Sequence, residues 1–321
     1  MELIALLIYF IGVALCIVVG AGGVALGQGY AGGVATDGSA RQVIGQSPIR
    51  QALLIGCAFL ESGCVFSLII TLMYLFSADA VTSSNVAMTL GVAALSMGVV
   101  AGVVGAVSGR VVAAAIGAMA RQPHESSRIL SLMMVAQILL EAPMVFMFII
   151  AFLVKGWAVP TISLAKSIQL MGASAVFACG TIGPAIGQAM FCRAVSEAVG
   201  LNISLYSRIF SFSFIVQAMI ETPIIFSLLV SLMMMFLEPQ AGVSSVELVA
   251  MCIGVMGAVG FGSAGAAIGS GRAAAQAVVC MAREPEEATG VARLAIFCQA
   301  IIDTAVIYSL IISVLLIKKC M

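Results

Sequence analysis

The sequence predicts an all-α membrane protein whose eight transmembrane helices form four tandem helical hairpins. The first observation is the composition: 62% of the 321 residues are hydrophobic and only 9% are charged, whereas a soluble domain carries about 25% charged residues. The second is an acidic residue that recurs four times within apolar sequence. The third is a glycine-rich segment that precedes each acidic residue at a constant distance. Long apolar runs with few charges are typical of transmembrane helices.

The acidic residues define the repeat. They recur about every 80 residues, in the contexts AFLESGCVFS, ILLEAPMVFM, AMIETPIIFS and AIIDTAVIYS, and are Glu61, Glu141, Glu221 and Asp303. This period predicts four hairpin units, at residues 1–80, 81–160, 161–240 and 241–321. Each unit is predicted as a helix, a short polar loop and a second helix. The predicted helices are 3–33, 51–77, 87–119, 129–154, 167–199, 208–237, 247–281 and 290–317.

A polar side chain lies 33 residues before each acidic residue, within a glycine-rich segment. The segments read GAGGVALGQG, AGVVGAVSGR, GTIGPAIGQA and GSAGAAIGSG, and their polar residues are Gln28, Ser108, Gln188 and Ser270. Small residues spaced by three and four lie on one helix face and let neighbouring helices approach closely in lipid. The fourfold recurrence favours an inner row of closely packed first helices, although ordinary pairwise helix packing would also use such residues.

The four carboxylates are the candidate functional groups. Glu61 lies about ten residues into its predicted span, which is roughly 15 Å and close to the membrane midplane. A charge at that depth costs about 2.5–3.5 kcal/mol, and we predict no basic residue at the same depth. Each carboxyl is therefore expected to be protonated, since desolvation favours the neutral form, or to hold a cation. A neutral acid in an interhelix hydrogen bond is the structural alternative, but four at a regular period favour ion carriers.

Polar neighbours are expected to support these sites. Three hydroxyls directly follow an acidic residue, and a phenol lies five residues after Asp303. With the four polar positions above, the predicted supporting residues are Gln28, Ser108, Gln188, Ser270, Ser62, Thr222, Thr304 and Tyr308. Oxygen ligands suit hard cations, but they suit a hydrogen-bonded neutral acid equally well.

The basic residues predict the orientation. All ten arginines are expected at or near the loops within the hairpins, whereas all four lysines lie at the linkers or the C-terminus. The positive-inside rule then places the loops in the cytoplasm and both termini outside. The lack of a transit-peptide pattern favours a bacterial plasma membrane over an organelle inner membrane.

Several classes of function find no support in the sequence. The net charge is zero, so nothing points to nucleic acid. The nine cysteines are scattered without a CxxC pair, which argues against a metal site or a disulfide framework. No GxxxxGK[ST] motif is present, so we expect neither a nucleotide site nor a cofactor.

The combination of glycine-rich segment, loop and acidic residue resembles the c subunit of F-type ATP synthases. The resemblance is carried by GAGGVALGQG and GTIGPAIGQA, the loops ARQP and AREP, and the acidic segments QAMIET and QAIIDT. It implies assembly into a c-ring in which each carboxylate takes H⁺ from one half-channel of the stator a subunit, moves with the ring through lipid, and releases it to the other half-channel. The implied partners are copies of the chain, the stator a subunit, central-stalk subunits and membrane lipid. The implied stalk-contact residues are Arg41, Gln42, Arg121, Gln122 and Arg283.

The sequence also departs from that family's pattern. An ordinary F-type c subunit is one hairpin, whereas this chain fuses four. Fused hairpins are similar to the V-type proteolipid, which usually loses a carboxylate. All four acidic residues are retained, which favours synthesis over pumping. The third loop has Leu201-Asn202-Ile203 in place of Arg-Gln-Pro, which puts its stalk contact in doubt. A V-type ATPase-like proteolipid pump subunit and a self-contained transporter or channel of parallel repeats are the alternatives.

The ion is H⁺ or Na⁺. Sodium-binding relatives use a glutamine on the first helix and Glu-Ser-Thr on the second, and the partial matches are Gln28, Glu61, Ser62, Gln188, Glu221 and Thr222. Ser108, Glu141 and Ala142 match poorly. Since a ring that turns on one ion needs every site to accept it, protons are favoured.

Overall fold

The computed structural model describes residues 2–77, 83–240 and 242–321, and these residues contain no strand. Eight segments are long and apolar enough to span a membrane, which confirms the predicted fold class. The seventh segment consists of two α-helices joined by a π-helical stretch. The α-helices are α1 (Glu2–Arg41), α2 (Gln46–Leu75), α3 (Ser84–Arg121), α4 (Ser126–Trp157), α5 (Leu164–Leu201), α6 (Tyr206–Phe236), α7 (Ser245–Met256), α8 (Ser263–Arg283) and α9 (Ala288–Cys320).

The helices run further into the polar loops than the apolar pattern predicts. The first was predicted to end at residue 33, but α1 continues to Arg41. An ion pair between Arg41 and Asp37, with 2.9 Å between Nε and Oδ1, lies at the i,i+4 spacing that supports a solvated helix. Polar sequence outside the hydrocarbon can therefore stay helical, and apolar length underestimates these helices.

The ends of the helices follow local signals. A serine side chain caps α3, α5 and α7, where Ser83, Ser163 and Ser244 each accept a hydrogen bond from a backbone N–H of the first turn, as N-caps do. The loops between the helices of hairpins two, three and four each contain a single 3₁₀ turn, Pro123–Glu125, Ile203–Leu205 and Pro285–Glu287. The third hairpin's turn lacks proline, and there the Asn202 side chain accepts from the Ser204 N–H at 3.2 Å.

The helices form two layers. The first helices α1, α3, α5 and α7–α8 pack side by side in chain order. The second helices α2, α4 and α6 each lie against their own first helix and that of the next hairpin, and α9 lies against its own first helix and α6. The second helices contact one another less closely. The layer of first helices is therefore the concave side of an arc, and the layer of second helices is its convex side.

Glycines allow the close packing of the first helices. A Cβ placed on one of these glycines would meet the backbone of the next first helix, so only glycine fits there. The opposed pairs are Gly23 with Gly102, Gly27 with Gly105, Gly27 with Gly109, Gly183 with Ala264, Gly187 with Ala267, and Gly187 with Gly271. The same repeat positions meet at the first and third junctions, which matches the predicted inner row.

The first helix of the fourth hairpin contains a π-helical stretch, Gly257–Gly262, where the sequence predicted an uninterrupted helix. In this hairpin the capping serine and the polar residue are Ser244 and Ser270, and in hairpin three they are Ser163 and Gln188. The interval between the two residues is one residue longer in hairpin four. A π-bulge absorbs one extra residue within an α-helix. The stretch therefore keeps both ends of this span in register with the neighbouring hairpins.

Deleting Ala258 should convert this stretch to regular α-helix without loss of assembly. The deletion restores the interval found in hairpin three and leaves the spacing between Ser270 and Asp303 unchanged. We expect a thermal midpoint equal to or above that of the parent, measured on the purified assembly. A lower midpoint would show that the bulge is required by its neighbours, and a matched deletion of Ala178 in α5 should lower the midpoint strongly.

Candidate ion-binding sites

Two of the four acidic residues bond to the glutamine of their own hairpin. The Gln28 Nε2 donates to Glu61 Oε1 at 3.3 Å, and the Gln188 Nε2 donates to Glu221 Oε1 at 3.1 Å. These contacts place the acidic residue and the polar residue 33 positions earlier at the same level. The acidic residues lie near the middle of their helices and the glutamines lie nearer the loop end of theirs, so the structure brings together the residues that the repeat aligned.

Glu141 has a partner from a different hairpin. The Ser62 Oγ donates to Glu141 Oε2 at 3.2 Å, whereas the sequence grouped Ser62 with Glu61. Successive residues on a helix point about 100° apart, so a residue and its immediate neighbour face different sites. The Glu141 Oε1 is buried without a hydrogen-bond partner among the described residues. This site therefore combines groups from α2 and α4.

The remaining predicted supporting groups do not bond to an acidic residue. The Ser108 and Ser270 hydroxyls are buried without a partner in the described part of the chain. The Thr222 hydroxyl donates to the Ala218 carbonyl and the Thr304 hydroxyl to the Ile301 carbonyl, both within their own helices. Tyr308 is 65% exposed, and Asp303 is half-buried.

Three glutamines one turn before an acidic residue are fully buried, and no role was predicted for them from the sequence. The Gln137 Nε2 donates to the Ser108 carbonyl at 3.1 Å and so ties the second helix to the first. Gln217 accepts from Cys192 Sγ at 3.2 Å, and both polar atoms of Gln299 are unpartnered among the described residues. Their constant position, four residues before Glu141, Glu221 and Asp303, is the feature of the sequence from which a role for them could have been predicted.

Three arginines lie inside the first helices and not in the loops, whereas we predicted no basic residue at the depth of the acidic residues. Arg110 and Arg272 each lie two residues after the polar position and eleven residues before the end of α3 or α8. Arg193 lies eight residues before the end of α5. The predicted helices 87–119, 167–199 and 247–281 already contained them, although all the arginines had been described as lying at or near the loops. They do not contact the acidic residues, since none of the four takes part in an ion pair within the described ranges.

Comparison with known proteins identifies the family. The family model that describes the C subunit of ATP synthase matches four times, over residues 11–74, 91–154, 171–234 and 253–316. These matches cover most of the chain, one in each hairpin. The chain belongs to the ATP synthase C-subunit family.

Curated members of the C-subunit family match a stretch about one hairpin long. The second ATP synthase c subunit of Cereibacter sphaeroides is 44% identical over 69 residues, which are 22% of this chain and 83% of that protein. The chloroplastic ATP synthase c subunit of Ostreococcus tauri is 39% identical over 72 residues, 22% of this chain and 88% of that protein. The ATP synthase c subunit of a Cyanothece species is 44% identical over 64 residues, which are 20% of this chain and 78% of that protein.

Membership of the C-subunit family makes the chain an integral membrane component of an ATP synthase rotor ring. The arc has the open ends that a ring of copies requires. Within the most apolar window of each span, 72% of the residues in α3 are buried, against 33% in α1 and 17% in the last span. Glu61 is accordingly exposed, whereas Glu141 and Glu221 lie between hairpins and are half-buried.

The five predicted stalk-contact residues lie together at one end of the molecule. Arg41, Arg121 and Arg283 are the last residues of their helices and are exposed, while Gln42 and Gln122 follow directly and are half-buried. The Gln122 N–H caps α3 by donating to the Ala118 carbonyl at 2.9 Å. The Arg41 side chain pairs with Asp37 of its own helix, and the side chains of Arg121 and Arg283 are exposed.

Proposed function

We propose that the chain carries protons on Glu61, Glu141, Glu221 and Asp303, and so couples ion translocation to rotation of an ATP synthase ring. The observation that carries this proposal is the position of these acidic residues. All four lie midway along their second helices, Glu61 and Glu221 bond to the glutamine of their own hairpin, and none of the four has an ion-pair partner among the described residues. A mid-membrane carboxylate without a cation partner is expected to exchange an ion.

A proton suits this set of sites better than sodium. A sodium ion needs several oxygen ligands at every site, but the four sites offer different groups. Gln28 and Gln188 supply an amide, whereas the Ser108 and Ser270 hydroxyls do not reach the acidic residues of their hairpins. The hydroxyls of Thr222 and Thr304 are bonded to carbonyls of their own helices. A proton needs only the carboxyl group, which all four sites share.

The remaining partners follow from this role. A stator a subunit would provide the half-channels to the convex face, and central-stalk subunits would contact the loop end at Arg41, Gln42, Arg121, Gln122 and Arg283. Seven arginines lie at this end of the hairpins, so the positive-inside rule places it in the cytoplasm and the termini outside. Retention of four acidic residues favours ATP synthesis as the net direction.

Modification by dicyclohexylcarbodiimide tests the proposal. The reagent attacks protonated carboxyls in apolar surroundings, so mass spectrometry of purified rings should find it on all four acidic residues. We expect the labelling to fall as pH rises and to be unaffected by sodium. Protection of every site by sodium would replace H⁺ with Na⁺, and an absence of labelling at all four residues would contradict the ion-carrier role.

A further inference from the structure

Two of the acidic residues lie beside buried polar atoms that have no hydrogen-bond partner in the described part of the chain. In hairpin two these atoms are Ser108 Oγ, Gln137 Oε1 and Glu141 Oε1. In hairpin four they are Ser270 Oγ and both polar atoms of Gln299. A buried polar group without a partner costs about 1–3 kcal/mol. Several such groups in one place therefore indicate a small polar molecule that contacts all of them.

The three atoms of hairpin two surround one point between α3 and α4. The Gln137 Nε2 donates to the Ser108 carbonyl at 3.1 Å, so these two residues face each other. Glu141 lies four residues after Gln137 and therefore on the same face of α4. The Ser62 Oγ already donates to the other carboxyl oxygen, Glu141 Oε2. The serine hydroxyl, the amide oxygen and Glu141 Oε1 thus lie close enough to share one ligand.

A glutamine occupies the position of this serine in hairpins one and three, and its amide reaches the acidic residue. The Gln28 Nε2 donates to Glu61 Oε1 at 3.3 Å and also to the Cys57 carbonyl at 3.4 Å. The Gln188 Nε2 donates to Glu221 Oε1 at 3.1 Å. Serine is shorter than glutamine, so its hydroxyl stops short of the carboxyl group. The difference in length corresponds to a small polar molecule.

The serine hydroxyls of hairpins two and four are not satisfied by their own helices. A serine within a helix can donate to the carbonyl four residues earlier, as Ser174 does to the Leu170 carbonyl at 3.0 Å. Ser108 and Ser270 make no hydrogen bond of this kind within the described ranges, although each is only 1% exposed. Their hydroxyls are therefore available to a ligand that lies between the helices.

We propose that a buried water molecule joins the serine to the acidic residue in hairpins two and four. Buried waters make about three hydrogen bonds to groups that otherwise lack a partner, which matches one hydroxyl, one amide and one carboxyl group in each site. Sites that an amide closes directly then alternate along the chain with sites that water closes. The groups that hold the water are Ser108, Gln137 and Glu141 in hairpin two, and Ser270, Gln299 and Asp303 in hairpin four.

The two kinds of site would exchange a proton with different partners. A carboxylate only accepts hydrogen bonds, whereas a protonated carboxyl group also donates one. The glutamine Nε2 can only donate, but a water molecule can donate or accept by turning in place. A site that water closes therefore keeps its hydrogen bonds in both protonation states. This consequence rests on the proposed function, whereas the presence of the water does not.

The water is tested by cryo-electron microscopy of the purified parent ring, at a resolution that shows ordered water. The map is averaged over whole chains and not over hairpins, so that the four sites stay distinct. We expect density about 2.8 Å from Ser108 Oγ and Glu141 Oε1, and a matching density in hairpin four. The Glu221 site is the control in the same map, because its direct bond to Gln188 leaves no place for water between them.

Exchanging the polar residue between hairpins two and three should move the water. In Ser108→Gln the new amide is expected to replace the density in hairpin two, while the density in hairpin four stays unchanged. In Gln188→Ser a density should appear beside Glu221, where Gln217 is the buried glutamine one turn earlier. The second variant only shortens a side chain, so it tests the proposal even if Ser108→Gln fails to assemble.

Three results would overturn the proposal. The first is a map without density beside Glu141 and Asp303 in which other buried waters are resolved, and the second is equal density at all four sites. The third is density that appears only in buffers containing sodium, which would assign these groups to a cation. Labelling of the four acidic residues by dicyclohexylcarbodiimide does not depend on the water, so this inference and the proposed function can fail separately.

Discussion

Replacing Glu141 by glutamine should slow ion-driven ATP synthesis about fiftyfold while leaving the ring assembled. The proposed cycle requires every site to exchange an ion as it passes the stator, and an amide does not ionise, so it can neither take up nor release the proton. Each passage of the blocked site loses the driving force of one charge, about 2.3 kcal/mol at 100 mV. A loss of that size slows a step about fiftyfold. The measurement is the rate of ATP synthesis in vesicles under an imposed potential and proton gradient.

The matched control for this variant is Glu238→Gln. Glu238 is an exposed residue on the linker side, and its ion pair with Lys166 spans 3.5 Å at the surface, where such pairs contribute little. It removes the same charge without touching a site, so synthesis should stay near the parental rate. If Glu141→Gln rings also synthesise at the parental rate, this site is not used for translocation, and the chain would work on three acidic residues.

The period of the sequence predicted the axial positions in the fold. The recurring acidic residue indicated the hairpins, and its constant spacing from the polar residue correctly placed Gln28 beside Glu61 and Gln188 beside Glu221. Axial position follows from counting residues at about 1.5 Å each. The π-helical stretch was also open to prediction, since the one-residue excess between Ser244 and Ser270 is visible in the sequence.

The direction in which side chains point around each helix could not be predicted in the same way. Ser62 was grouped with Glu61 because the two are adjacent, but it bonds to Glu141 across the hairpin boundary. Which face meets which neighbour depends on how the helices pack, and a repeat found within one chain does not give that. Arg110 and Arg272 were described as lying at or near the loops because charges are expected to mark membrane surfaces, whereas they lie well inside the first helices, on a face that no helix in the described part of the chain covers.

The glycine contacts between the first helices predict the largest effect on assembly. Gly109→Leu should prevent α1 and α3 from packing, because a Cβ at this position would meet the backbone of Gly27. Backbone atoms cannot move aside as a flexible side chain can. Overpacking in a core costs about 1–3 kcal/mol, and occasionally more, and we expect the upper end or beyond. The measurement is the yield and thermal midpoint of the purified ring.

Gly117→Leu is the control within the same helix. A Cβ at Gly117 meets no atom within 4 Å, and its position on the concave side of the arc leaves room for a side chain. Leucine is also a better helix former than glycine by up to about 1 kcal/mol, so this variant should be as stable as the parent or more so. Comparing Gly109→Leu with Gly117→Leu distinguishes the effect of blocking close helix approach from the effect of changing helix propensity. If both variants assembled equally well, the first helices would not need backbone contact, and the small residues would serve only to fit many hairpins into a narrow ring.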